Sequence, residues 1–297
     1  MNSCPSWNDH EHSLFSPLTP WIDGEKYTQV TDLLREFCLT RGMIEIHTQN
    51  RLSILAACED PRTIQTFEFA GNKWPLPQTG QMWLEYELLK RPNTPGVFCI
   101  STSYRAEPNP TPGRHAWIFP MFEFEIPGGI HVLESFEKDL LMSIGFGDAK
   151  RFGGGDYLEV ASHYGVREID RSTEEKIGRD IHPVFFLKNF PEHTHPFWNM
   201  ERQESPRGSL ARKIDVLLHG METIGSTERA CSPEEMRSRF YSIESGNYAS
   251  KLFELFGKER VTSELEEFLK LPFFERSGGG IGVTRLIRAM ELSSIVT

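Results

Sequence analysis

The fold is decided by residues 97–126, which read VFCISTSYRAEPNPTPGRHAWIFPMFEFEI. Its two ends are apolar and rich in aromatic residues, which predicts one strand from Val97 to Tyr104 and a second from Ile118 to Ile126. The loop between them contains three prolines. Because proline fixes φ and removes a backbone donor, we expect this loop to hold a defined shape.

A second informative stretch is residues 278–285, which read GGGIGVTR and are followed by a predicted helix from Thr284 to Glu291. Glycines allow a backbone and the start of a helix to approach a phosphate closely. Each of the two stretches contains an arginine, Arg105 in the first and Arg285 in the second. A guanidinium presents a planar fork of donors that suits phosphate and carboxylate oxygens.

Together the two stretches resemble motifs 2 and 3 of the class II aminoacyl-tRNA synthetases. Motif 2 is carried by Ser103-Tyr104-Arg105-Ala106-Glu107, Gly113-Arg114-His115 and residues 119–125, and motif 3 by residues 278–285. The resemblance implies an α+β fold, with an antiparallel sheet of about six strands flanked by helices. It also implies one reaction, the attack of a carboxylate on the α-phosphate of ATP.

The resemblance assigns expected roles around the nucleotide. Arg105 would bridge the α-phosphate and the amino-acid carboxylate, and Arg285 would cover the adenine and approach the γ-phosphate. Both are expected to be catalytic, because fixed cations stabilise the charge that develops at the α-phosphorus. The other expected ATP-binding residues are Glu107 on the adenine side, Arg114 and His115 at the terminal phosphates, Phe119 stacked on adenine, and Gly280 and Gly282 beside the nucleotide.

Two carboxylates between the motifs are candidate magnesium ligands. Asp215 lies in a predicted strand, residues 214–218, and Glu222 in its predicted hairpin partner, residues 221–224. Carboxylates combined with substrate phosphates are the ligands that Mg²⁺ prefers. The expected cofactors are therefore ATP and Mg²⁺.

The aspartyl and asparaginyl branch of the family gives the nearest resemblance. Residues 79–85 (TGQMWLE) resemble the asparaginyl form of the substrate-binding segment, since Leu84 stands where the aspartyl form has a lysine. In this resemblance Glu85 would accept from the side-chain amide of asparagine and repel aspartate. The other expected amino-acid contacts are Gln81, Glu123 and Arg229.

Three departures from the family pattern suggest a substrate other than asparagine itself. Gln49 replaces a motif 1 proline and Thr284 replaces an acid before the motif 3 arginine. The glycine-rich run before Arg229 is reduced, and contains Ile224, Ser226 and Thr227.

The rest of the chain is read as one irregular arm, residues 1–20, and one catalytic domain, residues 21–297. A predicted helix over 24–41 and a strand over 43–48 resemble motif 1, which implies a homodimer. The other predictions are a loop at 146–155, a charged turn at 170–176, a mobile connection at 199–212 and helices within 233–270. An anticodon-binding barrel precedes the catalytic domain in asparaginyl and aspartyl synthetases. Its place is taken by residues 1–20, which implies a free-standing paralogue, similar in build to the archaeal-type asparagine synthetase.

The composition of the chain limits the classes of partner and the cellular compartment that we expect. The net charge of −10 leaves no basic footprint of the kind that tRNA-binding proteins carry, so tRNA is not the expected partner. The five cysteines are widely spaced and favour a reducing cytoplasm over a disulfide framework. No apolar run reaches the roughly 18 residues of a membrane span. The partners that the resemblance implies are ATP, an amino acid as a small-molecule substrate, and a second copy of the chain.

The leading functional prediction is an AMP-forming ligase that activates asparagine, aspartate or a close analogue. It would pass the acyl group to an acceptor that the sequence does not name. One alternative is an asparagine synthetase that uses aspartate, ammonia and ATP. Another is a regulatory paralogue that binds nucleotide or amino acid without turnover, and a third is an aminoacylating domain that borrows a tRNA-binding partner.

Overall fold

The computed structural model describes residues 18–49, 51–54, 61–107, 109–194 and 197–296. Its strands, numbered in chain order, are β1 Ile44–Glu45, β2 Thr66–Phe69, β3 Asn72–Pro75, β4 Val97–Tyr104, β5 Ile118–Pro127, β6 Gly153–Asp156, β7 Val184–Pro191, β8 Arg202–Ser205, β9 Gly208–Leu218, β10 Met221–Glu228 and β11 Arg276–Gly282. Its α-helices are α1 Gly24–Thr40, α2 Gln81–Lys90, α3 Ile130–Ser143, α4 Tyr157–His163, α5 Arg171–Asp180, α6 Pro233–Ser242, α7 Asn247–Phe256, α8 Lys258–Phe268 and α9 Val283–Leu292.

One large sheet organises the described residues. Its order is β1-β4-β5-β11-β10-β9-β7-β6, and β8 pairs with β9 beside this path. The six strands from β4 to β7 in this order are antiparallel to their neighbours, whereas β1 and β6 join the two edges in parallel. The predicted α+β fold with an antiparallel sheet flanked by helices is confirmed.

One face of the sheet is closed by helices. Side chains from α1, α3 and α9 form a continuous apolar core with alternate residues of the sheet, including Phe122, Phe124, Val216 and Ile281. Because side chains alternate along a strand, the residues between these point to the opposite face. That face is flanked by α2, α6, α7 and α8 at one end and by α4 and α5 at the other. The centre of this second face carries the candidate site.

The glycine run of residues 278–280 forms part of a buried strand. β11 lies between β5 and β10 and pairs with both. A Cβ atom at Gly279 would lie 2.5 Å from Cβ of Ser226, and one at Gly280 would lie 2.6 Å from Cε of Met121. Any side chain at these two positions would collide with its neighbours. The glycines therefore allow β11 to lie close to β5 and β10 on the face of the sheet that carries the site.

Two predicted irregular segments are regular in the structure. The charged turn predicted at 170–176 is the start of α5, where Asp170 caps the helix by accepting from the backbone N–H of Thr173 at 2.9 Å. This helix has few buried residues, chiefly Ile177, so it lacks a periodic apolar signal. The connection predicted at 199–212 contains the hairpin of β8 and β9, whose partly exposed strand β8 is polar and reads as a loop.

Other boundaries differ in smaller ways. The strand predicted at 43–48 is reduced to β1, which pairs with β4 at one edge of the sheet. The loop predicted at 146–155 includes a short 3₁₀ turn and β6, which lies parallel to β7. Most of the predicted arm, residues 1–17, lies outside the described residues. Within the described part of the chain, no helix has the length and apolarity needed to cross a membrane.

Candidate functional site

A cavity of about 400 Å³ opens on the second face of the sheet. It is bounded by β5, β10 and β11 and by the loop that joins β4 to β5. The predicted site residues that line it are Gln81, Arg105, Glu107, Arg114, His115, Phe119, Glu222, Arg229, Gly280, Gly282 and Arg285. The structure therefore brings the two motif arginines, far apart in sequence, to one cavity.

Arg105 stands at the wall of the cavity directly after β4. Its backbone N–H donates to the carbonyl of Trp117 at 2.8 Å, which fixes the main chain across the two ends of the loop. Its guanidinium carbon lies 5.6 Å from the centre of the Phe119 ring. Within the described part of the chain the guanidinium has no carboxylate partner, and its buried Nε has no hydrogen-bond acceptor. A buried donor of this kind is satisfied when an anionic ligand accepts from it.

Arg285, in the first turn of α9, reaches across the cavity. Its Nη1 donates to the carbonyl of Glu222 at 2.7 Å, and its Nη2 donates to the carbonyl of Arg114 at 3.2 Å. Burial lowers the pKa of Arg285, the Glu222 carboxylate opposes this shift, and the cations Arg114 and Arg105 add to it. The guanidinium groups of Arg285, Arg114 and Arg105 repel one another, and an anion bound between them would offset this repulsion.

The loop between β4 and β5 delivers Arg114 and His115 to the cavity. Arg114 forms an ion pair with Glu174 of α5. The Nδ1 atom of His115 lies 2.9 Å from Oε2 of Glu107 and 3.1 Å from the backbone nitrogen of Thr111. Burial lowers the pKa of His115, the Glu107 carboxylate opposes this shift, and the nearby arginines add to it. The ring is therefore held close to its neutral form beside three cations.

The far end of the cavity is a buried ionic network. Nε of Arg229 lies 3.2 Å from Oε1 of Glu125, and Nη2 lies 3.1 Å from Oε2. The side-chain amide of Gln81 donates to Glu125 at 2.6 Å. Burial raises the pKa of Glu125 to about 7, against the lowering effect of Arg229. Arg229 and Gln81 therefore reach the cavity with their charges and dipoles already engaged by Glu125.

Glu85 and Glu123 lie behind the cavity wall. Glu85 is fully buried, accepts from Nη2 of Arg276 at 2.7 Å and from the amide of Asn199 at 2.8 Å, and lies 3.6 Å from Nε of Arg229. Glu123 accepts from the backbone N–H of Gly80 at 2.8 Å and from the hydroxyl of Ser101 at 2.5 Å. Both carboxylates are thus occupied by protein donors and hold α2 against the sheet.

The two predicted magnesium ligands are neighbours on β9 and β10. A Cβ atom on Gly225 would lie 3.0 Å from Oε1 of Glu222 and 3.6 Å from Oδ1 of Asp215. Only Glu222 lines the cavity, however, and Oδ1 of Asp215 is engaged by Nζ of Lys213. Burial raises the pKa of Asp215 to about 7, and Lys213 opposes this shift. One of the two predicted carboxylates is therefore already paired with a buried ammonium, and while this ion pair stands the donor set does not fit the predicted two-carboxylate site.

The sequence analysis did not predict four charged residues of the site. Lys213 lines the cavity. Glu125 and Glu174 pair with the lining residues Arg229 and Arg114, and Arg276 pairs with Glu85 behind the wall. The alternation of β9 places Lys213 on the same face as Asp215, a signal that the sequence contains. The other three pair with residues on distant elements, for which a single sequence carries no signal.

Comparison with known proteins identifies the family through a family model. The family model described as tRNA synthetases class II (D, K and N) matches residues 25–296. An aspartate–tRNA(Asp) ligase from Thermoplasma volcanium is 23% identical over 239 residues, which are 70% of this chain and 53% of that protein. The cytoplasmic asparagine–tRNA ligase of Mus musculus is 25% identical over 244 residues, which are 70% of this chain and 42% of that protein. The chain thus spans about half the length of these relatives.

Solved structures of low identity share the fold. Asparaginyl-tRNA synthetase from Pyrococcus horikoshii, complexed with asparaginyl-adenylate, superposes with a TM-score of 0.70 at 20% identity, over 91% of this chain and 65% of that one. Asparaginyl-tRNA synthetase from Entamoeba histolytica gives a TM-score of 0.71 at 18% identity, over 90% of this chain and 63% of that one.

Proposed function

Because the chain belongs to the class II tRNA synthetases of the D, K and N type, we propose that it activates an amino acid with ATP in an AMP-forming reaction. The substrate would be asparagine, aspartate or a close analogue, bound as the acyl-adenylate. The observation that carries this proposal is Arg105, a guanidinium at the cavity with no carboxylate partner among the described residues.

The proposed step needs no nucleophilic side chain. A carboxylate oxygen of the amino acid attacks the α-phosphorus, the bond from this phosphorus to the bridging oxygen breaks, and pyrophosphate leaves. Arg105 would stabilise the charge that builds on the α-phosphate oxygens, and Arg285 would act from the opposite side of the nucleotide. Phe119 would supply a flat surface for the adenine, since an aromatic ring stacks at little entropic cost. Mg²⁺ accompanies ATP in solution and would approach the cavity on the side of Glu222.

The far end of the cavity supports a substrate with an uncharged side chain. Two carboxylates, Glu125 and Glu85, compensate the two guanidinium groups of Arg229 and Arg276. A substrate carboxylate placed here would meet no uncompensated positive charge, whereas an amide can both donate and accept. This favours asparagine or another amide over aspartate, although Glu85 would act through Arg229 rather than by direct contact.

The test is amino-acid-dependent exchange of labelled pyrophosphate into ATP, measured for each of the twenty amino acids. We expect exchange with asparagine or a close analogue in the wild-type protein and its loss in Arg105→Ala. The matched control is Arg237→Ala, which removes an exposed partner of Glu266 away from the cavity. Absence of exchange with every amino acid and with their amide analogues would defeat the proposal. Formation of asparagine from aspartate, ammonia and ATP would instead establish the synthetase alternative.

We further propose that residues 21–297 act as one catalytic unit, in the cytoplasm and as a homodimer. The free thiols of Cys38, Cys99 and Cys231 fit a reducing compartment. Leu39 and Ile44, on α1 and β1, are 53% and 43% exposed and would lie in the dimer interface. Sedimentation analysis of the wild-type protein and of Ile44→Lys tests this, since a dimer through this surface should dissociate in the variant.

A further inference from the structure

Lys213 places a fixed positive charge beside a predicted metal ligand. Residues 213 and 215 lie two apart on β9, so their side chains share one face of the sheet. Nζ of Lys213 contacts Oδ1 of Asp215 directly, and both side chains are only 8% exposed. The same Nζ lies 4.1 Å from the centre of the Phe190 ring, within the range of a cation–π contact. These contacts hold the Lys213 side chain in place in the wall of the cavity.

One member of this ion pair reaches the cavity. Lys213 lines the cavity, whereas Asp215 does not. A divalent cation that used Asp215 would have to displace the ammonium and leave it buried without its carboxylate, which is costly. Glu222, on the next strand, faces the cavity and stays accessible to a cation that arrives with a nucleotide.

We infer that the ammonium of Lys213 takes the place that the sequence predicts for Mg²⁺ at Asp215, and supplies the positive charge on this side of the nucleotide phosphates. This inference rests on the proposed nucleotide-binding function. Asp215 then acts as a positioning residue for Lys213. A covalently fixed cation remains in place when free metal is removed, so nucleotide binding depends only weakly on divalent ions.

The experiment is calorimetric titration of the full chain with ATP, once with Mg²⁺ and once with excess EDTA. We expect the wild-type Kd to rise less than about tenfold in EDTA. Lys213→Met should weaken binding in EDTA by about tenfold or more, as expected for loss of one charge-assisted contact. Lys213→Arg should retain most of the affinity. Lys138→Met serves as the control, because Lys138 pairs with Glu134 outside the cavity.

A second variant keeps the inference testable if Lys213→Met fails to fold. Asp215→Asn retains the ammonium and removes the carboxylate that a metal would need. The amide oxygen of asparagine can still accept from Lys213, so we expect the ATP affinity in EDTA to fall by less than in Lys213→Met, and Mn²⁺ bound per nucleotide, measured by electron paramagnetic resonance, to be unchanged. Loss of a bound Mn²⁺ in Asp215→Asn, or strict Mg²⁺ dependence of ATP binding in the wild type, would overturn the inference and leave the proposed function intact. Absence of ATP binding under both conditions would refute both.

Discussion

The two ends of the cavity differ in whether their arginine side chains are paired with carboxylates. At the open end, where we propose that the nucleotide binds, Arg105 has no carboxylate partner among the described residues, and Arg285 donates mainly to backbone carbonyls. At the enclosed end, which is the far end of the cavity, Arg229 and Arg276 are buried and paired with Glu125 and Glu85. The first end keeps positive charge available for an anion that has yet to bind, whereas the second has neutralised its charges in advance. The comparison predicts that substitutions at the first end impair chemistry and that those at the second impair stability.

The largest effect is expected from Arg276→Met at the enclosed end. Arg276 and Glu85 are both completely buried, and the substitution leaves Glu85 without its main ionic partner. Breaking a buried pair from one side lowers the free energy of unfolding by about 3–5 kcal/mol. Urea denaturation followed by circular dichroism measures this. Arg237→Met, which breaks an exposed pair, should leave the midpoint nearly unchanged. Equal losses in the two variants would contradict the contrast between the ends.

Arg105→Ala, at the open end, should slow the reaction strongly and change the free energy of unfolding little. Removing one preorganised donor from a developing oxyanion slows a reaction by about 100- to 1000-fold. The urea midpoint should change little, because this guanidinium has no ionic partner among the described residues to lose. Pyrophosphate exchange and urea denaturation of one preparation give both quantities. Arg105→Lys retains the charge without the planar fork and should fall between the wild type and the alanine variant. A large loss of stability with unchanged exchange would reverse the assignment of the two ends.

The same contrast explains how far the sequence predicts this molecule. The strands around residues 97–126 and helix α1 are predictable, because long apolar runs determine burial locally. The open end is also predictable, since its arginines belong to contiguous motifs. The enclosed end is not, because Glu85 meets Arg276 across 191 positions in the chain. The role expected of Glu85, a direct contact with the substrate amide, depended on where its side chain points, and the structure turns it away from the cavity.

A third prediction concerns pH and the selectivity of the enclosed end. The pKa of Glu125 is raised to about 7 by burial, so this carboxyl is ionised above that pH and protonated below it. Protonation removes one of the two negative charges that face Arg229. Binding of aspartate relative to asparagine should therefore strengthen by up to about tenfold as the pH falls from 8 to 6, equivalent to about one unit of pKa coupling.

Competition calorimetry across this range measures the ratio of the two dissociation constants. Glu125→Gln mimics the protonated carboxyl, so it should give the low-pH ratio at every pH. A flat ratio in the wild type, or a variant that retains the slope, would show that Glu125 does not set the charge at this end.

The smallest effect is expected from His115 at the open end, whose protonation should change the affinity for ATP. Burial lowers the pKa of this imidazole below its usual value of about 6.5, so the ring is neutral at pH 7.5 and accepts from the backbone N–H of Thr111. Bound phosphates favour the protonated ring and raise its pKa, so ATP binding should take up a proton and strengthen by a few fold as the pH falls toward the pKa of the ring. The wild-type Kd for ATP measured between pH 5.5 and 8 should show this slope, and His115→Gln should lose it while matching the wild type at pH 8. If His115→Gln retained the slope, the proton would reside on another group at this end, and the neighbouring carboxyl of Glu107, 2.9 Å from Nδ1, would be the first to test.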